Sequence, residues 1–226
     1  SLGSIDYRHD EWGVDVTVGG SQKGLMLPPG LSFNAVSEKA RAASTHARLP
    51  RSYWAWDDIL ESNRHGTWPY TPATNLLYGL QAALDLLMAE GLPAVFARHN
   101  RFAEATRRAA RAWGLEILCA NPAEYSSTLT ALVMPADHDA DAFRRIVLDT
   151  YDMSLGAGLG KLAGRVFRIG HLGDLNDLTL AGTLAGVEMG LALAGVPHQP
   201  RGVQAALDYL ADVHAPSKTR PAAVVV

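Results

Sequence analysis

Hydrophobic and polar positions divide the chain into an early alternating stretch and a later, mostly helical one. Val14, Val16 and Val18 alternate with Asp15 and Thr17, the period-two pattern of a strand. Gly19 and Gly20 are expected to end it, because residues without a Cβ enter positive φ at little cost. Residues 31–36 read as a second strand, paired with the first across Pro28-Pro29-Gly30, where proline presets φ and glycine supplies the left-handed position. Ser37 reads as the N-cap of a short helix, with Glu38 in the first turn, where the helix dipole favours an acid. That helix stops before Pro50, and an aromatic cluster at residues 52–58 follows. Two prolines and a glycine in residues 63–72 predict an extended loop there.

From residue 73 the period becomes helical. Leu76, Leu77, Leu80, Ala83, Leu87 and Met88 recur at helical spacing, and Gly91 closes the segment. Pro93 opens another helix, which Gly114 ends; its Arg98, Arg101, Arg107, Arg108 and Arg111 form a stripe that reads as a solvated face. Residues 127–134 alternate as a strand and 139–150 as a helix, and residues 165–169 form a further strand. Asn176 or Asp177 caps a long apolar helix to residue 194, a last helix covers 203–212, and a frayed tail is expected from Ser217. From Ser127 this mixture of strands and helices predicts a compact α+β layer. No repeat is visible, and the loop at residues 51–72 is the nearest thing to a domain boundary.

Composition narrows the function classes. A net charge of −3, 48% hydrophobic residues and 19% charged residues describe an ordinary globular protein without the electrostatic footprint of a nucleic-acid or membrane binder. Cys119 is the only cysteine, so no intrachain disulfide or cysteine-based metal site can form, which favours a reducing compartment. The histidines show no metal-ligand spacing, and no metal is assigned. No apolar run reaches the length of a membrane span, and the first residues do not resemble a signal peptide.

Several residues carry candidate chemistry. Lys23, among small and apolar neighbours in Gly19-Gly20-Ser21-Gln22-Lys23-Gly24, is either a desolvated amine suited to a Schiff base or an ordinary surface lysine. Gly156-x-Gly158-x-Gly160 reads as a flexible loop, because a strand follows where a dinucleotide fingerprint needs a helix. Arg168 lies between Phe167 and Ile169 on a strand; it either captures a carboxylate or pairs internally with Asp174 or Asp177. His171 reads as a hydrogen-bonded core histidine. Thr71 either contacts a phosphate or caps the helix after Pro72, and both can hold together.

Taken in order, Gly20-Ser21-Gln22-Lys23-Gly24, Pro28-Pro29-Gly30, Trp68-Pro69-Tyr70-Thr71-Pro72 and the run from Gly164 to Gly173 resemble the serine–glyoxylate aminotransferases. These belong to the class V, fold-type I pyridoxal-phosphate enzymes. The resemblance extends over essentially the whole chain. It implies an α/β fold: residues 1–72 as the end of the large-domain sheet with the cofactor lysine, and residues 73–226 as a helical connection and a C-terminal α+β small domain. It implies that Lys23 holds pyridoxal 5′-phosphate and later serves as base and acid of the 1,3-proton shift. Gln22 would lie beside the cofactor phosphate. Thr71 would bind that phosphate from the neighbouring subunit, with Trp68 and Tyr70 flanking it, and Arg168 would clamp the substrate carboxylate.

The implied reaction moves the amino group of L-serine to glyoxylate, with alanine or another small amino acid as the alternative donor. Amino acids, 2-oxo acids and a second copy of the chain are the implied partners, and a cytoplasmic location is expected. In the family an aspartate for the pyridine nitrogen lies just upstream of the position of Ser1. The chain therefore reads as the C-terminal part of the enzyme. By itself it is expected to be poorly active, or to be a fragment that dimerises and needs an N-terminal part.

Overall fold

The structure is a computed structural model that describes residues 1–214. The expected frayed tail from Ser217 lies outside the described residues. The chain separates into two compact units, Ser1–Ala97 and Arg98–Val226.

In the first unit, β1 (Val16–Gly20) pairs antiparallel with β2 (Ser32–Val36), Val16 opposite Val36 and Gly20 opposite Ser32. The strand does end at the glycine pair, but Gly19 and Gly20 lie inside it as its last two residues and neither has a positive φ. Their lack of a side chain serves close approach instead of a turn. A Cβ on Gly19 would meet Leu2 Cδ2 at 2.9 Å, and one on Gly20 would meet Gln22 Oε1 at 2.9 Å. The turn at Gly30 is as expected, with φ at +143°.

Helix α1 (Glu38–Ser44) is capped by Ser37, whose Oγ accepts from the Ala40 amide at 3.1 Å and donates to Asp15 Oδ1 at 2.8 Å. Lys39 donates to the other Asp15 oxygen at 2.7 Å, and this hydrogen bond, with the one from Ser37, holds the Asp15 carboxyl below the usual carboxylate range. The expected loop at residues 51–72 is interrupted: a 3₁₀ turn (Ser52–Trp54) leads into α2 (Trp56–Arg64). Asp57 and Asp58 occupy the first turn of α2, where the dipole favours them, and both prolines fall after its end. Only the stretch before α3 (Thr74–Glu90) stays irregular. Helix α4 (Leu92–Trp113) follows Gly91, and Gly114 ends it. Leu27, Ala83, Leu87 and Val95 are buried in this unit, while Val18, Trp54 and Tyr78 are each more than two-thirds exposed.

The second unit holds a four-stranded antiparallel sheet in the order β3 (Glu116–Ile117), β4 (Leu129–Val133), β6 (Val166–Gly170), β5 (Gly156–Ala157). Strand β5 corrects the reading of residues 156–160 as a flexible loop. Two residues are too few to show alternation in sequence, and pairing with β6 is what makes them a strand. Leu132, Phe167 and Ile169 turn one sheet face inward, against Phe102 and Trp113 of α4 and Phe143 and Val147 of α5 (Ala140–Tyr151). Leu180, Leu184, Val187 and Leu191 of α6 (Asp177–Leu193) complete this core, which α7 (Gly202–His214) joins through Ala206 and Leu210. Asn176, not Asp177, caps α6, in a reciprocal box with Thr179.

The arginine stripe is not uniformly solvated. Arg98 donates to the Gly173 carbonyl at 2.8 Å and Arg101 pairs with Asp177 at 3.2 Å, so both turn onto the segment after β6. Arg107, Arg108 and Arg111 converge on Glu104. Among the described residues, no single helix is long and apolar enough to cross a membrane.

Helix α6 comes close to α5 because Gly190 lacks a side chain: a Cβ there would collide with Val147 Cγ2 and lie 3.2 Å from Phe143 Cε2. Gly190→Ala is expected to destabilise the protein by about 1–3 kcal/mol through overpacking. Chemical denaturation would measure it, and an unchanged midpoint would show that the helices can part without cost.

Candidate functional site

The loop that carries Gln22 and Lys23 is held by one buried serine. Ser21 is fully buried, and its amide donates to Leu31 O at 3.1 Å while its carbonyl accepts from the Leu27 amide at 3.2 Å. Its Oγ donates to Pro28 O at 2.7 Å and accepts from the Leu31 amide at 3.2 Å. Three backbone or side-chain groups of one residue thus tie both ends of the excursion between β1 and β2. The chain between them is tight. Met26 adopts a positive φ of 61°, and a Cβ on Gly24 would collide with Leu2 O and Ser4 Oγ. Nothing in the period-two pattern singled out Ser21; a small polar residue directly after Gly-Gly was its only trace.

Gln22 and Lys23 stand exposed on this tied loop, and neither side chain is engaged in a hydrogen bond or ion pair among the described residues; the Lys23 carbonyl accepts from the Met26 amide at 3.0 Å. Of the two readings of Lys23, this unit shows the exposed lysine and not the desolvated one. The reason is topological: Ser21, Gly24 and Leu27 are buried, and the two residues between Ser21 and Gly24 are left outside. An unengaged amine on a rigid loop fits the demand of a covalently held carbonyl cofactor, which needs a lysine not already paired.

Thr71 sits on a second loop of the same unit. It does not cap α3: the N-cap is Ala73, with no side-chain hydrogen bond to the helix end. Pro72 and Ala73 intervene, so the capping reading fails by two residues, and the exposed hydroxyl is left for another acceptor. Trp68 and Tyr70 beside it are each nearly half exposed, and Tyr70 stacks on Tyr53 at 4.8 Å between ring centroids.

Arg168 lies on β6 in the second unit, on the sheet face opposite Phe167 and Ile169, as the alternation predicts. Its Nε donates to the Ala157 carbonyl at 2.7 Å. The internal ion pair with Asp174 or Asp177 does not form. Asp177 pairs with Arg101, and among the described residues Arg168 has no carboxylate partner. A part-buried guanidinium with one N–H fixed and its charge uncompensated is suited to an external carboxylate.

The segment after Arg168 is fixed by two buried histidines. His99 Nε2 accepts from the Gly173 amide at 3.1 Å. His171 Nδ1 lies 3.2 Å from Ser127 O, which can only accept, so Nδ1 carries the proton and Nε2 accepts from Thr130 Oγ1 at 2.9 Å. His171 is the expected core histidine. Burial pushes its imidazole down to about 4, against the opposing pull of the Ser127 carbonyl. Among the described residues, no cluster of three or more His, Cys, Asp or Glu side chains is placed to hold a metal ion.

No protein-family model matches the chain. It is 48% identical over 198 residues to a serine–glyoxylate aminotransferase of Hyphomicrobium methylovorum, covering 87% of this chain and 49% of that protein. It is 44% identical over 223 residues to an L-aspartate–glyoxylate aminotransferase of Paracoccus denitrificans, covering 98% of this chain and 56% of that protein. In structure it is similar to ureidoglycine–glyoxylate aminotransferase of Bacillus subtilis, with a TM-score of 0.85 at 26% identity over 93% of this chain and 56% of that one. The chain spans about half the length of the curated relatives it matches.

Two expectations follow from the side chains. Ser21→Ala removes both Oγ hydrogen bonds and is expected to cost roughly 1–3 kcal/mol, with the Leu31 amide exchanging faster with solvent; unchanged exchange would show that the loop does not depend on the hydroxyl. For His171, the folded imidazole binds fewer protons than the unfolded one between the ordinary 6.5 and about 4, so its share of stability is present above that window and is lost as pH falls through it. In His171→Gln this loss is absent, and the stability gap to the unmodified protein narrows from pH 7 to pH 5; a gap independent of pH would contradict a buried neutral imidazole.

Proposed function

We propose, from the premise that the chain belongs to the class V aminotransferases and is a homologue of their serine–glyoxylate members, that it acts in a pyridoxal-phosphate-dependent transfer of the amino group of L-serine to glyoxylate. The products are hydroxypyruvate and glycine. The observation that carries this reading is Arg168, oriented by the Ala157 carbonyl and without a carboxylate partner among the described residues. Both half-reactions have a substrate with a carboxylate next to the reacting carbon, and one guanidinium can hold each in turn.

Bound pyridoxal phosphate supplies the electron sink that makes the amino acid Cα–H acidic. Lys23 Nζ is the residue that would hold it covalently and, when displaced, would take the proton from the amino acid Cα as base and give it up again as acid to complete the 1,3-proton shift. A lysine on a loop tied at both ends by Ser21 returns to the same place after each proton transfer. Gln22 would lie beside the cofactor phosphate. The Thr71 hydroxyl, not spent on capping α3, would donate to the phosphate of a neighbouring subunit, with Trp68 and Tyr70 packed around it. The exposed aromatic side chains of Tyr53, Trp54, Trp68 and Tyr70 support a homodimer with shared sites, because such a group of rings left in water is unfavourable. Arg168 Nη1 and Nη2 would take the carboxylate in a bidentate pair.

A different amino donor is the second reading, favoured by the 44% identity to the L-aspartate–glyoxylate enzyme. Single-turnover rates with serine, alanine and aspartate would separate the donors. In the protein that carries this chain, Lys23→Ala is expected to abolish the visible absorbance of covalently held cofactor. Arg168→Gln is expected to raise the KM for amino donor and oxo acid alike by roughly 10- to 100-fold. Retained absorbance in the first variant, or unchanged KM values in the second, would refute the respective assignment.

A further inference from the structure

Resting on the assignment of Arg168 to the substrate carboxylate, we propose that the two-residue edge strand β5 is the positioning element for that arginine. Gly156 provides the clearance in which its side chain lies, and the Ala157 carbonyl fixes the plane of its guanidinium.

Three observations support the assignment. The first is the acceptor. Ala157 O takes the Nε–H of Arg168 at 2.7 Å. The guanidinium is planar with its five N–H donors in a fixed fork, so engaging Nε sets the direction of the Nη edge, where a carboxylate binds with two parallel hydrogen bonds. The acceptor is neutral. A carboxylate in its place would orient the group equally well but would cancel the charge on which substrate capture depends.

The second observation is the clearance. Gly156 stands directly opposite Arg168 in the β5–β6 register. A Cβ on Gly156 would lie 3.0 Å from Arg168 Cβ, 3.1 Å from Nε and 3.5 Å from Cζ. Gly156 is not among the glycines with positive φ, so the backbone does not demand glycine at this position. Space for the arginine does.

The third observation is that β5 is itself held. Leu155 O, one residue before the strand, accepts from Arg144 Nε at 2.8 Å, and Arg144 Nη1 pairs with Asp141 at 2.8 Å on α5. One residue after the strand, the Gly158 amide donates to Val166 O at 2.8 Å. The strand that steers Arg168 is thus anchored at both ends, to α5 and to β6, and the sequence reading of these residues as a flexible loop missed that role.

The test uses the cofactor-loaded protein that carries this chain and two probes. 3-Hydroxypropanoate offers the carboxylate without a reacting amine and is titrated by calorimetry. 2-Aminoethanol offers the amine and hydroxyl without a carboxylate and is titrated by absorbance. Gly156→Ala is expected to weaken 3-hydroxypropanoate by about tenfold, the scale set by sub-ångström misplacement of a binding group, with cofactor content and 2-aminoethanol affinity unchanged. Arg144→Gln, which frees Leu155 O, is expected to weaken the same probe by a smaller factor and decides the matter if Gly156→Ala does not fold. Arg168→Gln separates the two levels of the argument. If it leaves 3-hydroxypropanoate affinity intact, the assignment of Arg168 itself fails. If it abolishes that affinity while folded Gly156→Ala or, failing that, folded Arg144→Gln binds as the unmodified protein does, the positioning role of β5 is overturned and the arginine assignment stands. Equal weakening of both probes in Gly156→Ala would mean a general distortion and would also overturn it.

Discussion

Close backbone approach is the constraint on which the structure depends. Gly20 and Gly24 sit on either side of Gln22 and Lys23, Gly156 sits against Arg168, and Gly190 lets α6 close on α5. In each case another group occupies the space where a Cβ would stand. The result is that the side chains with candidate chemistry spring from tightly packed backbone. That rigidity matters because a group that must meet a substrate in one orientation gains from having few other orientations to visit.

Charge is distributed in keeping with this. Of the arginines in the second unit, Arg101 pairs with Asp177, Arg144 with Asp141, and Arg107, Arg108 and Arg111 share Glu104. Those arginines fasten helices to loops or lie on a partly solvated network. Arg168 differs in being oriented by a neutral carbonyl while keeping its full charge. The buried histidines follow the opposite logic. His171 is held neutral by burial and spends both ring nitrogens on structure, which removes it as a proton carrier near neutral pH.

Much of the fold was legible in the sequence where elements are long. Residues 73–90 and 176–194 showed helical spacing over many turns, with Gly91 and Asn176 marking an end and a start, and the structure places α3 and α6 there. Strands β1, β2, β4 and β6 were readable from alternation. Shorter elements were not: β3 and β5 have two residues each, and α2 was hidden by the prolines that follow it. The arginine stripe misled because period alone does not say which part of a helix face meets solvent.

For the candidate site, local sequence order was enough to single out Lys23, Thr71 and Arg168, since a lysine after a glycine pair, a threonine among prolines and an arginine between apolar strand residues are visible one at a time. Local order could not choose between their alternative readings. That Thr71 does not cap α3 was decided by where the helix starts, and that Asp177 does not pair with Arg168 was decided by Arg101 taking it. The roles of Ser21 and Gly156 arose only in the folded chain. The partners of Ser21, Pro28 and Leu31, lie 7 and 10 residues away, and Arg168 stands across the sheet from Gly156. Periodicity records how each residue relates to its own element, whereas hydrogen bonds and clearances between elements exist only after the chain has packed.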